Sequence, residues 1–77
     1  MTQPALNLTA VVADDEQLAR DELCFLLNQL GTVDIVGKAS NGMEALDEIA
    51  RHSPDVAFLD VQMPGLTGFE VARRLLA

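Results

Sequence analysis

Short apolar runs alternate along the chain with segments in which apolar residues recur at helical spacing. Residues 8–13 (LTAVVA), 33–39 (VDIVGKA) and 55–60 (DVAFLD) have the length and β-branched character of strands. The first run is apolar apart from Thr9, which fits a strand buried on both faces. The segments that follow each run carry apolar residues three and four positions apart. The pattern therefore predicts the order strand, helix, strand, helix, strand, helix.

Polar residues at fixed offsets predict where these helices begin and end. Three pairs have the spacing of a capping box, in which each residue of the pair accepts a hydrogen bond from the backbone amide of the other. The pairs are Asp14 with Gln17, Asn41 with Glu44, and Thr67 with Glu70. Gly31 is the expected stop of the first helix, and Pro54 ends the second.

Strands separated by helical segments favour parallel pairing with right-handed crossovers, which gives a three-layer α/β fold with helices on both faces. In such sheets ligands bind outside the carboxyl ends of the strands. Asp14 and Asp15 directly follow the first strand, and Asp60 ends the third. If the first strand lies between the other two, the three carboxylates converge at one edge of the sheet.

Converging carboxylates repel one another, so either a proton or a cation must join them. Oxygen ligands in an acidic pocket favour Mg²⁺ or Mn²⁺, and Mg²⁺ commonly keeps positions free for water and a phosphate oxygen. An aspartate can itself attack phosphorus to form an acyl phosphate. The arrangement is thus suited to phosphoryl transfer, although an isolated Asp-Asp pair after a strand also fits simple helix capping.

Composition narrows the class of protein. The 77 residues suffice for one domain or part of one, and the formal charge of -7, from 12 acidic and 5 basic residues, argues against a nucleic-acid surface within them. Cys24 is the only cysteine, so no disulfide forms within the chain, and a small buried hydrophobe is expected. His52 has no ligand set or catalytic partner near it in sequence. The first ten residues lack the features of a signal peptide or membrane anchor, so we expect a cytoplasmic protein.

Two motifs resemble the receiver domain of two-component response regulators. They are VVADDEQLAR (residues 11–20) and VAFLDVQMPGLTGFE (residues 56–70), and SNGMEAL (residues 40–46) is similar to the usual opening of that family's second helix. The resemblance extends from Leu8 to the end of the chain. It implies a flavodoxin-like parallel sheet with strand order 2-1-3 over these residues, truncated from the family's five strands and five helices.

The resemblance also implies roles for individual residues. Asp60 would be the phospho-accepting aspartate. Asp15, Asp60 and the backbone carbonyl of Gln62 would contact the metal, and Asp14 would act mainly through a metal-bound water. Four residues would shape the loop after the third strand: Met63, Pro64, Gly65 and Gly68. Such a receiver is a signalling module rather than an enzyme, and its partner is a sensor histidine kinase.

The domain organisation expected from this resemblance is an N-terminal extension over residues 1–7 and a partial receiver over residues 8–77. The family's fourth-strand Ser or Thr and fifth-strand Lys, which bond the phosphoryl oxygens, are not among these residues, so we expect an impaired module. The third strand would have an uncovered edge, which predicts self-association. The stretch DDEQLARDEL (residues 14–23) is similar to receivers with a LytTR-type output, which leaves a downstream DNA-binding domain open.

Two other functions remain open. The 77 residues could act as an assembly or dimerisation unit with a vestigial acidic pocket. A phosphohydrolase with an aspartyl nucleophile, of the haloacid dehalogenase type, would require a second aspartate two residues after Asp60. Gln62 stands there instead.

Overall fold

Three parallel strands form the centre of the chain in the order β2-β1-β3, which confirms the predicted fold. The computed structural model describes residues 7–77, so almost all of the predicted N-terminal extension lies outside the described residues. The elements are β1 (Leu8–Ala13), α1 (Gln17–Leu30), β2 (Val33–Ala39), α2 (Gly42–His52), β3 (Val56–Leu59) and α3 (Gly68–Leu76).

The last four residues of the central strand β1 are buried on both faces, as its apolar sequence predicts. Residues 10–13 are at most 2% exposed. Val12 packs with Cys24 and Leu27 of α1 on one face of the sheet. Its neighbour Ala13 lies in a second apolar cluster, because successive side chains of a strand point to opposite faces. That cluster includes buried side chains of α2 and α3, so the helices enclose the sheet from both sides.

Two of the three predicted capping boxes form in part, through the bond that the N-cap side chain accepts. The side chain of Asn41 accepts a hydrogen bond from the backbone amide of Glu44 at 2.8 Å, and Thr67 caps α3 in the same way through the amide of Glu70 at 3.1 Å. The carboxylate of Glu44 accepts from the amide and hydroxyl of Ser40, one residue before the cap. These bonds fix where α2 and α3 begin relative to the strands before them.

The start of α1 differs from the prediction. Its N-cap is Glu16, not Asp14, and no side-chain bond caps it. The carboxylate of Asp14 instead accepts from the backbone amide of Glu16 at 3.0 Å. The amide of Asp14 still donates to Ala39 of β2, so the chain has not yet left the sheet at this point. Because the Asp14 carboxylate bonds the Glu16 amide, residues 15 and 16 form a turn before the helix begins at Gln17.

The helix ends follow the expected signals. Gly31 closes α1 with a positive φ of 72°, the left-handed conformation that glycine adopts without steric cost. The second helix ends at His52, and Ser53 has a φ of 46°, one residue before Pro54. Among residues 7–77, no helix has the length and apolar character needed to cross a membrane.

Candidate functional site

The three predicted carboxylates lie together at the carboxyl edge of the sheet. One oxygen from each of Asp14, Asp15 and Asp60 lies within 4.8 Å of the other two. Asp14 and Asp60 are half-buried, and Asp15 is exposed. The group borders an open pocket of about 490 Å³ that is also lined by Glu16 and Gln62. The sequence order alone would not bring these side chains together; the 2-1-3 strand order does.

The register of β3 fixes the position of Asp60. Leu59 pairs with Ala13 of β1, and the amide of Asp60 donates to the carbonyl of Ala13 at 2.9 Å. Asp60 therefore sits at the level where β1 ends, beside Asp14 and Asp15. This main-chain bond between β1 and β3 holds the backbone of Asp60 at the edge of the pocket.

The loop after Asp60 folds back closely on the strand. The amide of Gly68 donates to the carbonyl of Val61 at 3.1 Å. A Cβ at residue 68 would lie far inside 3.0 Å of the Asp60 carbonyl oxygen, so only glycine permits this approach. Gly65 has a φ of 83°, in the left-handed region that favours glycine. Both glycines thus have physical reasons to stand where they do.

The other loop residues of the prediction occupy two different environments. Gln62 is exposed and lines the pocket, and Pro64 is exposed at the turn. Met63 is only 7% exposed and packs in the apolar cluster with Ala45 of α2 and Val71 of α3. Met63 therefore anchors the loop in the core beneath the pocket.

Three hydrogen bonds hold Asp14. Its amide donates to Ala39 at 3.1 Å, and one of its carboxylate oxygens accepts from the Glu16 amide. Its carbonyl accepts from Nη1 of Arg20 at 2.8 Å, a bond that the sequence analysis missed. The only sequence signal for it is the arginine's position, six residues after Asp14 and one turn into a helix.

Comparison with known proteins identifies the family. The response regulator receiver domain matches residues 10–77, nearly the whole described chain. The chain belongs to the receiver-domain family of response regulators. Receiver domains are generally non-enzymatic signalling modules that interact with histidine kinases and bind Mg²⁺ at an acidic pocket.

Curated relatives and solved structures agree with this assignment. The receiver is 55% identical over 64 residues to an uncharacterized response regulatory protein of Vibrio parahaemolyticus, covering 83% of this chain and 26% of that protein. It is 46% identical over 68 residues to the sensory transduction protein LytT of Bacillus anthracis, covering 88% of this chain and 28% of LytT.

The fold also matches solved receiver domains. The signal receiver domain of NarL from Mycobacterium tuberculosis superposes with a TM-score of 0.89 at 41% identity, covering 91% of this chain and 56% of that one. The response regulator domain of Thermotoga maritima CheB gives 0.86 at 28% identity, covering 91% and 52%. The receiver thus spans about a quarter of the curated relatives' length and about half of these solved chains.

Proposed function

We propose that this receiver accepts a phosphoryl group on Asp60, in a pocket that requires a divalent cation. The observation that carries the proposal is the convergence of three carboxylate oxygens within 4.8 Å at the carboxyl edge of a parallel sheet. Carboxylates this close repel one another, which makes the group a favourable place for a cation.

The donor set fits Mg²⁺ or Mn²⁺. All three side chains offer hard oxygen ligands, and the exposed position of Asp15 leaves the pocket open to water and to a phosphate oxygen. Asp15, Asp60 and the backbone carbonyl of Gln62 would hold the ion, with Asp14 acting mainly through a bound water. When bound, the ion supplies positive charge that offsets the negative charge of the phosphoryl oxygens.

Asp60 performs the covalent step in this proposal. One of its carboxylate oxygens attacks phosphorus, and a P–O bond forms as the bond from phosphorus to the donor breaks. The electron pair of that bond stays on the leaving group, which is an imidazole nitrogen when the donor is a phosphohistidine. The β1–β3 ladder holds the backbone of Asp60 in place, which limits the positions that the attacking carboxylate can take and lowers the entropic part of the barrier.

The loop after β3 keeps this pocket in shape. Met63 anchors it in the core, and Gly68 lets it lie against the carbonyl of Asp60. We assign Pro64 and Gly65 to the turn between these two anchor points. A loop that is fixed at both ends leaves the Gln62 carbonyl little freedom, which suits a metal ligand.

The proposed partner is a sensor histidine kinase. Residues 8–77 are proposed to be part of a receiver with a DNA-binding output domain, because residues 14–23 are similar to receivers with a LytTR-type output. The Ser or Thr and the Lys expected on a fourth and fifth strand are not among these 77 residues. We therefore expect the 77-residue chain alone to accept the phosphoryl group slowly, since donors aimed at developing charge are often worth about 3 kcal/mol.

The 77-residue chain is also proposed to self-associate through β3. Among the described residues, β3 pairs with β1 on one side, and its other edge has no strand beside it. Such an edge can pair with another copy. Sedimentation at micromolar concentration is expected to show dimers or larger species, and a folded monomer would contradict this.

Phosphorylation is tested by incubating the 77-residue chain with acetyl phosphate and Mg²⁺ and then measuring intact mass. The wild type is expected to gain one phosphoryl group, and Asp60→Asn to gain none. Asp55→Asn, which neutralises a carboxylate at the opposite end of β3, is the matched control and should behave as wild type. An unmodified wild type after long incubation would refute the proposal, and turnover of a phosphomonoester would favour a phosphohydrolase.

A further inference from the structure

We propose that Arg20 is a positioning residue that orients the Asp14–Asp15 turn for cation binding, an inference that rests on the function proposed above. Nη1 of Arg20 donates a half-buried hydrogen bond to the carbonyl of Asp14 at 2.8 Å. That carbonyl belongs to the peptide unit that leads into Asp15. Because the peptide unit is planar, fixing its oxygen also fixes the amide and the Cα position of Asp15.

The bond matters because Asp15 is exposed. Its direction therefore depends on the backbone on either side of it. On the N-terminal side, the Asp14 amide is held by Ala39 of β2 and its carboxylate by the Glu16 amide. The Arg20 bond adds the third attachment, and it is the one that ties this turn to a side chain of α1.

Arg20 also faces the loop between β2 and α2. It lines a small pocket with Lys38, Ser40 and Glu44. Hydrogen bonds from Ser40 lower the pKa of the Glu44 carboxyl, and the positive charge of Arg20 lowers this pKa further. A single guanidinium thus contacts the metal-site turn and lies close enough to influence the cap of α2.

Charge and orientation predict opposite effects of removing this arginine. A positive charge near three carboxylates opposes the binding of a cation, so its loss should tighten binding if charge alone mattered. Loss of a hydrogen bond that orients a ligand should weaken binding, as it does for outer partners of other metal sites, by about tenfold or more. The sign of the change therefore separates the two explanations.

The test is direct Mn²⁺ binding to the 77-residue chain, followed by electron paramagnetic resonance of the free ion. We expect Arg20→Met, which removes both donor and charge, to weaken binding by about tenfold. Arg20→Lys, which keeps the charge and one donor, should fall between this variant and the wild type. Arg51→Met is the matched control. It removes the same charge from an exposed side chain that pairs with Glu48, and should leave binding unchanged or slightly tighter.

A second readout needs no metal. In the metal-free chain, the amide of Glu16 should exchange its hydrogen faster in Arg20→Met than in wild type, because the turn that protects it is loosened. If Arg20→Met does not fold, Arg20→Gln takes its place. Binding as tight as wild type in Arg20→Met or Arg20→Gln would overturn the positioning role alone. Absence of Mn²⁺ binding by the wild type would overturn this role together with the proposed function.

Discussion

Neutralising Asp60 should stabilise the metal-free chain, although Asp60 is the residue on which the proposed function depends. The carboxylate oxygen of Asp60 lies within 4.8 Å of an oxygen of Asp14 and of an oxygen of Asp15. Folding brings these negative charges together, so the folded state carries a repulsion that the unfolded chain largely lacks. Asp60→Asn removes this repulsion and keeps the shape of the side chain.

The separation sets the magnitude. At 4.8 Å, two unit charges repel by about 1 kcal/mol in a water-like dielectric, and by about 3 kcal/mol at the effective dielectric of a protein surface. The pocket is open and Asp15 is exposed, so the lower value applies to each of the two pairs. Asp60→Asn is therefore expected to raise the free energy of unfolding by about 2 kcal/mol, or the Tm by roughly 10 °C.

Magnesium should reverse this order of stability. A ligand that binds only the folded state at 100 times its Kd stabilises that state by about 2.7 kcal/mol. Mg²⁺ should raise the free energy of unfolding of the wild type by this amount. It should raise that of Asp60→Asn much less, because the variant lacks one metal ligand and its negative charge. The chain has no Trp or Tyr, so unfolding is best followed by circular dichroism, with EDTA or with Mg²⁺.

Two controls separate the local repulsion from the general excess of negative charge. Glu22→Gln changes the net charge by the same amount at an exposed position on α1, and should alter stability by much less. Raising the salt concentration to 1 M should shrink the metal-free difference, because the screening length falls to about 3 Å. Equal or lower stability of Asp60→Asn in EDTA would refute the argument that the three charges repel in the folded chain.

Three further changes test the packing and capping around the pocket. Gly42→Ala should cost about 1–3 kcal/mol in urea unfolding, because the new Cβ would meet the Leu66 carbonyl oxygen at 2.6 Å; full stability would contradict this contact. Thr67→Ala should cost about 1 kcal/mol through loss of the α3 cap, whereas Thr67→Ser should cost much less. Because the pKa of Glu44 is lowered in the folded chain, its carboxylate stabilises the fold at pH values above the ordinary pKa of 4.5, and this stabilisation is lost as the pH falls. Glu44→Gln should therefore make the free energy of unfolding depend less steeply on pH in the acid range. An unchanged pH dependence would contradict this role of Glu44.

The sequence was sufficient to predict which carboxylates meet, because that outcome depends on topology more than on detailed packing. In a parallel sheet all strands end at the same edge, so residues that follow β1 and β3 become neighbours once the strand order is 2-1-3. The caps at Asn41 and Thr67 were also predictable, since a cap is a local interaction between residues three apart.

Arg20 could not be predicted in the same way. Its partner is a backbone carbonyl, which every residue carries, so neither the residue type nor its spacing from Asp14 distinguishes this bond from a solvated surface arginine. The close approach of Gly42 to Leu66 was hidden for a similar reason. A glycine near a helix start also fits simple capping, and only the packed loop after β3 shows that the space for a Cβ is filled.

The failed prediction at Asp14 shows how a short turn can take the place of a helix cap and help to form the pocket. The spacing of Asp14 and Gln17 would start the helix at residue 15, with the Asp14 carboxylate bonded to the third helical amide. In the structure, however, the Asp14 carboxylate accepts from the amide of Glu16, only two residues on, and so holds a turn instead of a helix start. The helix begins only at Gln17, after a turn of two residues. Asp15 lies in that turn rather than inside the first turn of α1, where the amides and side chains of the helix would constrain it. A helix that started where the capping pattern indicates would move Asp15 out of the position from which it now approaches Asp60.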